Sequence, residues 1–83
     1  AGADEELREK ILDTVRSIRG VENVHHIITE YAGPRLVVEM HINVDGETTL
    51  NRSHEISDQA IAELESLPEV DRAYVHVEPT GYS

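Results

Sequence analysis

Residues 35–44, Arg-Leu-Val-Val-Glu-Met-His-Ile-Asn-Val, set Leu36, Val38, Met40 and Ile42 against Val37, Glu39, His41 and Asn43 in unbroken alternation. Strand side chains change faces at every residue, so this segment calls for a sheet with one apolar, covered face and one polar, open face. The cover is predicted on either side of it. From Glu5 to Arg19 the apolar residues Leu7, Ile11, Val15 and Ile18 recur at helical spacing, and Gly20 follows as a stop. From about Thr49 a second helix carries Leu50, Ser57, Ala60, Ile61, Leu64 and Leu67 on its inner stripe and ends at Leu67-Pro68. Each helix has a single apolar stripe, so both should lie on the same side of the sheet.

The remaining strands follow from β-branched runs. Val21 to Tyr31 joins the 35–44 strand through Ala32-Gly33-Pro34 as an antiparallel hairpin, and Val70 to Glu78 alternates from Ala73 onward. The order is α-β-β-α-β. A right-handed crossover through the second helix would make the second and third strands parallel, with the second strand central in a three-stranded mixed sheet of an α+β fold.

At 83 residues the chain is expected to be one domain, 1–83, with a modest core that a partner surface or ligand would help to stabilise. Its formal charge of −10 argues against nucleic acid or an anionic lipid surface as partner and favours a cation. The absence of cysteine removes disulfides and thiolate metal sites, so metal ligands must be nitrogen or oxygen. The opening "AGADEELREK" lacks the features of a signal peptide and no apolar run is long enough to span a bilayer, so a soluble chain is expected. Asn43-Val-Asp45-Gly46 has the wrong ligand spacing for a calcium loop. Neither a nucleophile elbow nor a phosphate-cradling glycine loop is present, and the chain is read as a non-enzyme.

The polar face gathers histidines. Alternation turns His41, His76 and Glu78 outward together, and a hairpin turn centred near Gly33 sets His25 opposite His41. By the same period His26 falls on the other face without a role, and a slip of one residue would exchange the two. Three imidazoles and a carboxylate on one face match a zinc, iron or manganese site, either mononuclear or dinuclear with a bridging carboxylate. Glu39 shares that face as a further oxygen donor of lower rank. His54, four residues from both Leu50 and Asp58, is placed to reach a neighbouring chain.

With those residues in view, "GVENVHHI" followed by "AGPRLVVEMHINVDGETTLNRSHEISDQAIAELESLPEVDRAYVHVEP" resembles the cytoplasmic C-terminal domain of the cation diffusion facilitator transporters, from residue 20 to residue 79. The resemblance implies a ferredoxin-like, metallochaperone-like sandwich, here without a Cys-x-x-Cys loop. It implies metal at a dimer interface held by His25, His41, His54, His76 and Glu78, where zinc exporters carry an aspartate in place of Glu78. Similarity to magnetosome members adds Glu39. It further implies a V-shaped homodimer that tightens around a divalent ion, Zn2+ first with Fe2+ or Mn2+ as alternatives, and a membrane domain of the same transporter as partner. The expected function is therefore regulatory cation binding and dimerisation by the cytoplasmic domain of an integral membrane exporter. The competing expectation is a ferredoxin-like small-molecule-binding or oligomerisation module without metal. Metal uptake should weaken as pH falls toward about 6, where imidazoles protonate.

Overall fold

The computed structural model describes residues 2–81. Helix α1 spans Glu5–Arg16, strand β1 Asn23–Ala32, strand β2 Arg35–Val44, helix α2 Leu50–Glu65 and strand β3 Val70–Pro79. The sheet order is β1-β2-β3, with β1 antiparallel and β3 parallel to β2. The alternating strand is central, as its pattern required. Leu36, Val38, Met40 and Ile42 are fully buried, and Ile11 and Val15 of α1 with Ile56, Ala60 and Leu64 of α2 cover them. This is the α+β, ferredoxin-like arrangement with both helices on one sheet face.

Local chemistry sets the helix ends. The Asp4 carboxylate accepts from the Leu7 N–H at 2.9 Å and the Thr49 hydroxyl from the Arg52 N–H at 3.1 Å, each satisfying an otherwise unpaired donor of a first turn. Helix α1 stops at Arg16, three residues short of the sequence expectation. The Ser17 N–H turns back to the carbonyl of Asp13 at 3.2 Å and the Ile18 N–H to that of Val15 at 3.1 Å, while the Ser17 hydroxyl donates to Asp13 O at 2.7 Å. Gly20 then reverses the chain at φ 101°, where a Cβ would stand 2.6 Å from Ile56 Cδ1. Both the backbone angle and the contact with α2 require glycine.

The inner stripe of α2 differs from the expected one. Ile56, Ala60 and Leu64 face the sheet, Ser57 and Ile61 are half-buried beside them, and Leu50 is 84% exposed. The small Ala60 side chain at the middle of an i, i+4 row lets the helix seat along that row. In β3, Val70 pairs with Leu36 but Arg72 pairs with Val37, so Asp71 is an extra residue. That bulge lets Val70 and Ala73 both point inward and resets the alternation for the rest of the strand.

Candidate metal centre

The open face is a lattice fixed by strand register. Across β2 and β3, His41 lies beside His76, Asn43 beside Glu78 and Glu39 beside Tyr74. Across β1 and β2, His25 pairs with His41. Counting back from the two-residue turn Gly33-Pro34, a regular ladder would set His26 against His41. A bulge intervenes: Ile28 pairs with Glu39, so His26 and Ile27 together oppose Met40. His26 adopts φ 52°, the left-handed region, which costs a non-glycine residue roughly 1–2 kcal/mol. Its neighbour Ile27 packs against the core.

The bulge corrects the sequence reading of His26. Strict alternation would turn it to the covered face, whereas its ring stands 4.5 Å from that of His41 between centroids, on the open face. His41 is the hub of the group, with the rings of His76 at 4.8 Å and His25 at 5.5 Å. The signal in the sequence is Val24 and Ile27, two apolar residues an odd number of positions apart that must both face inward. Only an inserted residue satisfies both.

Glu78 closes the centre. Its Oε1 lies 3.3 Å from His41 Nδ1 and 3.4 Å from His25 Nε2. Zinc–nitrogen bonds of about 2.0–2.1 Å at tetrahedral angles separate neighbouring ligand atoms by roughly 3.3 Å, so the two carboxylate–imidazole distances already stand near the edge length of such a polyhedron. His25 Nε2 is buried, and despite its proximity to the carboxylate the angles make no hydrogen bond. A buried polar atom without a partner is uncommon in folded chains, and a cation between these groups would give it one. The donors thus fit a divalent ion in type, and the two distances to Glu78 Oε1 suit one.

A second group borders the first. One ligand atom each from His26, Glu39 and His41 lies within 4.8 Å of the others, and His76 Nε2 is 3.6 Å from Glu39 Oε2. Of the six expected ligands, the fold brings His25, His41 and Glu78 together and sets Glu39 and His76 beside them. His54 stands apart. It lies on α2 with Nε2 3.2 Å from Asp58 Oδ2 and its side chain 75% exposed. There it lines an open cleft of about 400 Å³ shared with Leu50, Val77 and Glu78. Among the described residues, no helix is long and apolar enough to cross a membrane.

Comparison with known proteins identifies the family and the fold. Residues 3–80 match the family model described as the cytoplasmic domain of cation efflux proteins. An uncharacterised transporter of Methanocaldococcus jannaschii is 41% identical over 73 residues, which cover 88% of this chain and 25% of the relative. The chain therefore spans about a quarter of the length of the curated relatives it matches. Among solved structures, the metal-bound C-terminal domain of the CzcD transporter from Thermotoga maritima superposes with a TM-score of 0.85 at 26% identity, covering 93% of this chain and 91% of that one. A cadmium form of a MamM domain variant gives a TM-score of 0.84 at 28% identity, over 90% and 95% of the two chains.

Proposed function

Because this chain belongs to the family of cation efflux protein cytoplasmic domains, we propose that it is the regulatory, cation-sensing domain of a cation diffusion facilitator, joined in the parent protein to a membrane domain that exports divalent ions. The whole of 1–83 would act as one such domain. The observation that carries the reading is the set His25, His41 and Glu78, in which both imidazoles stand 3.3–3.4 Å from one carboxylate oxygen and one buried nitrogen is unpartnered. A bound cation would supply a concentrated positive charge to which the imidazoles and the carboxylate are all attracted.

In this reading His25, His41 and Glu78 hold the ion on the sheet face, and His76 and Glu39 stand close enough to join. His54 stands outside its own chain's cluster and is exposed, so it serves the centre of a second copy across a dimer interface. Nitrogen and oxygen donors suit Zn2+ first, with Fe2+ and Mn2+ also served. Two chains each carrying −10 repel one another, and ligands contributed from both make the closed, V-shaped dimer the state with the higher ion affinity. Uptake then shifts the population toward closure.

Calorimetric titration with Zn2+ and Mn2+ of the native chain, His41→Ala and His54→Ala, together with small-angle scattering, tests this. His41→Ala should lower affinity by at least about tenfold, the effect of losing one ligand of a small set. His54→Ala should change the stoichiometry per dimer. Identical scattering profiles with and without saturating Zn2+ would refute closure, and unchanged affinity in His41→Ala would refute the ligand set.

A further inference from the structure

We propose that His26, Glu39 and His41 form a second divalent-cation position, alternative to the His25, His41 and Glu78 position and exclusive of it because both require His41. The proposal rests on the metal-binding reading above and goes beyond it in assigning His26 and a second location for the ion.

Three observations lead to it. First, His26 is the residue the sheet does not need. Without it, Ile27 would oppose Met40, His25 would still oppose His41, and Val24 and Ile27 would keep their inward places in a regular ladder. The chain instead holds His26 in the left-handed region with its ring exposed over His41. Second, the ring reaches a donor set: His26, Glu39 and His41 each offer a ligand atom within 4.8 Å of the other two, the same closeness that defines the His25, His41 and Glu78 group. His76 stands 3.6 Å from Glu39 on the far side and is available as a fourth donor. Third, a neutral imidazole has one nitrogen lone pair, the other nitrogen carrying its proton. His41 can therefore ligate one ion at a time, and giving its lone pair to one position withdraws it as a ligand of the other.

The two positions differ in their surroundings. The donors of both come from one chain, but of the two groups only the first has a member, Glu78, in the cleft that His54 lines. His41, common to both groups, is the pivot by which an ion at one position passes to the other.

Co2+ serves as the probe because its visible absorption reports the donor set. The native chain, the His25→Ala/Glu78→Gln double variant, and that variant with His26→Asn added are titrated. Asparagine tolerates the left-handed backbone and so preserves the bulge while removing the imidazole. The double variant should still bind about one Co2+ per chain with a displaced absorption band, and adding His26→Asn should weaken that binding by at least about tenfold. In parallel, nitrogen-15 spectra of the double variant with Zn2+ should move the His26 ring resonance. Absence of Co2+ uptake by the double variant, circular dichroism showing it folded, overturns the second position. So does uptake indifferent to His26→Asn. Failure of the native chain to bind Co2+ removes the metal-binding reading itself, and this inference with it.

Discussion

Deletion of His26 should make the metal-free chain more stable. The deletion joins His25 to Ile27, so β1 alternates without interruption: Val24 and Ile27 inward, His25 and Ile28 outward, each opposite its present partner or the adjacent one on β2. The gain has an identifiable source. His26 at φ 52° carries a left-handed cost of roughly 1–2 kcal/mol, and the lost side chain is exposed, so little burial opposes the gain. For a domain of this size each kcal/mol moves Tm by roughly 4–8 °C, giving an expected rise of about 5–15 °C. The assay is thermal unfolding by circular dichroism in excess chelator, at equal chain concentration for both proteins because dimerisation would otherwise shift the midpoint. An unchanged or lower Tm would show that the bulge supports the sheet, and would refute the premise that His26 is held against the preference of the backbone.

Gly20→Ala should destabilise the chain by about 2–4 kcal/mol, combining a disfavoured φ of 101° with a methyl group driven into Ile56 Cδ1, and a urea midpoint within error of the native one would refute this. Asn43→Ala should cost about 1–3 kcal/mol by equilibrium unfolding, because the buried amide accepts from Asn23 Nδ2 at 3.2 Å and donates to Pro79 O at 3.4 Å, tying both outer strands to β2. A backbone amide hydrogen bond and the Lys10 ammonium hold the Glu69 carboxyl below its ordinary proton affinity. The ionised carboxylate therefore adds stability above the unfolded-chain value, and that stability is lost as pH falls through the lower, folded value. Glu69→Gln should accordingly flatten a small acid-side dependence in stability against pH, and curves of identical shape would refute the assignment.

The sheet was legible because β2 states its facing at every residue and the strand-helix-strand order leaves it a central place. Phase was legible only where no residue is inserted. In β3 the break between Val70 and Ala73 is visible as an odd spacing of apolar residues, and Asp71 absorbs it. In β1 the same odd spacing separates Val24 and Ile27, but the strand-forming run Ile27-Ile28-Thr29 masks it, and strict alternation puts His26 on the wrong face. The α2 stripe was misread at Leu50 for a different reason: helical spacing identifies a set of apolar residues, while the row that seats against a sheet depends on where a small residue, here Ala60, permits close approach. Side-chain contacts such as the 3.3 Å separation of His41 and Glu78 depend on rotamers, which spacing does not encode.

The clamp through Asn43 bears on which ions the centre can tell apart. Beside it, the Glu22 N–H donates to Asn43 O at 2.8 Å and the Thr80 N–H to Val44 O at 2.8 Å, so the backbones beneath His25, His41 and Glu78 are pinned on both flanks. The strands act as the fixed jaws of a caliper. A change in ionic radius has to be absorbed by side-chain torsions, and the stiff imidazoles leave most of it to the longer glutamate arm. If the proposed centre holds an ion, it should discriminate poorly by size and well by charge and donor preference.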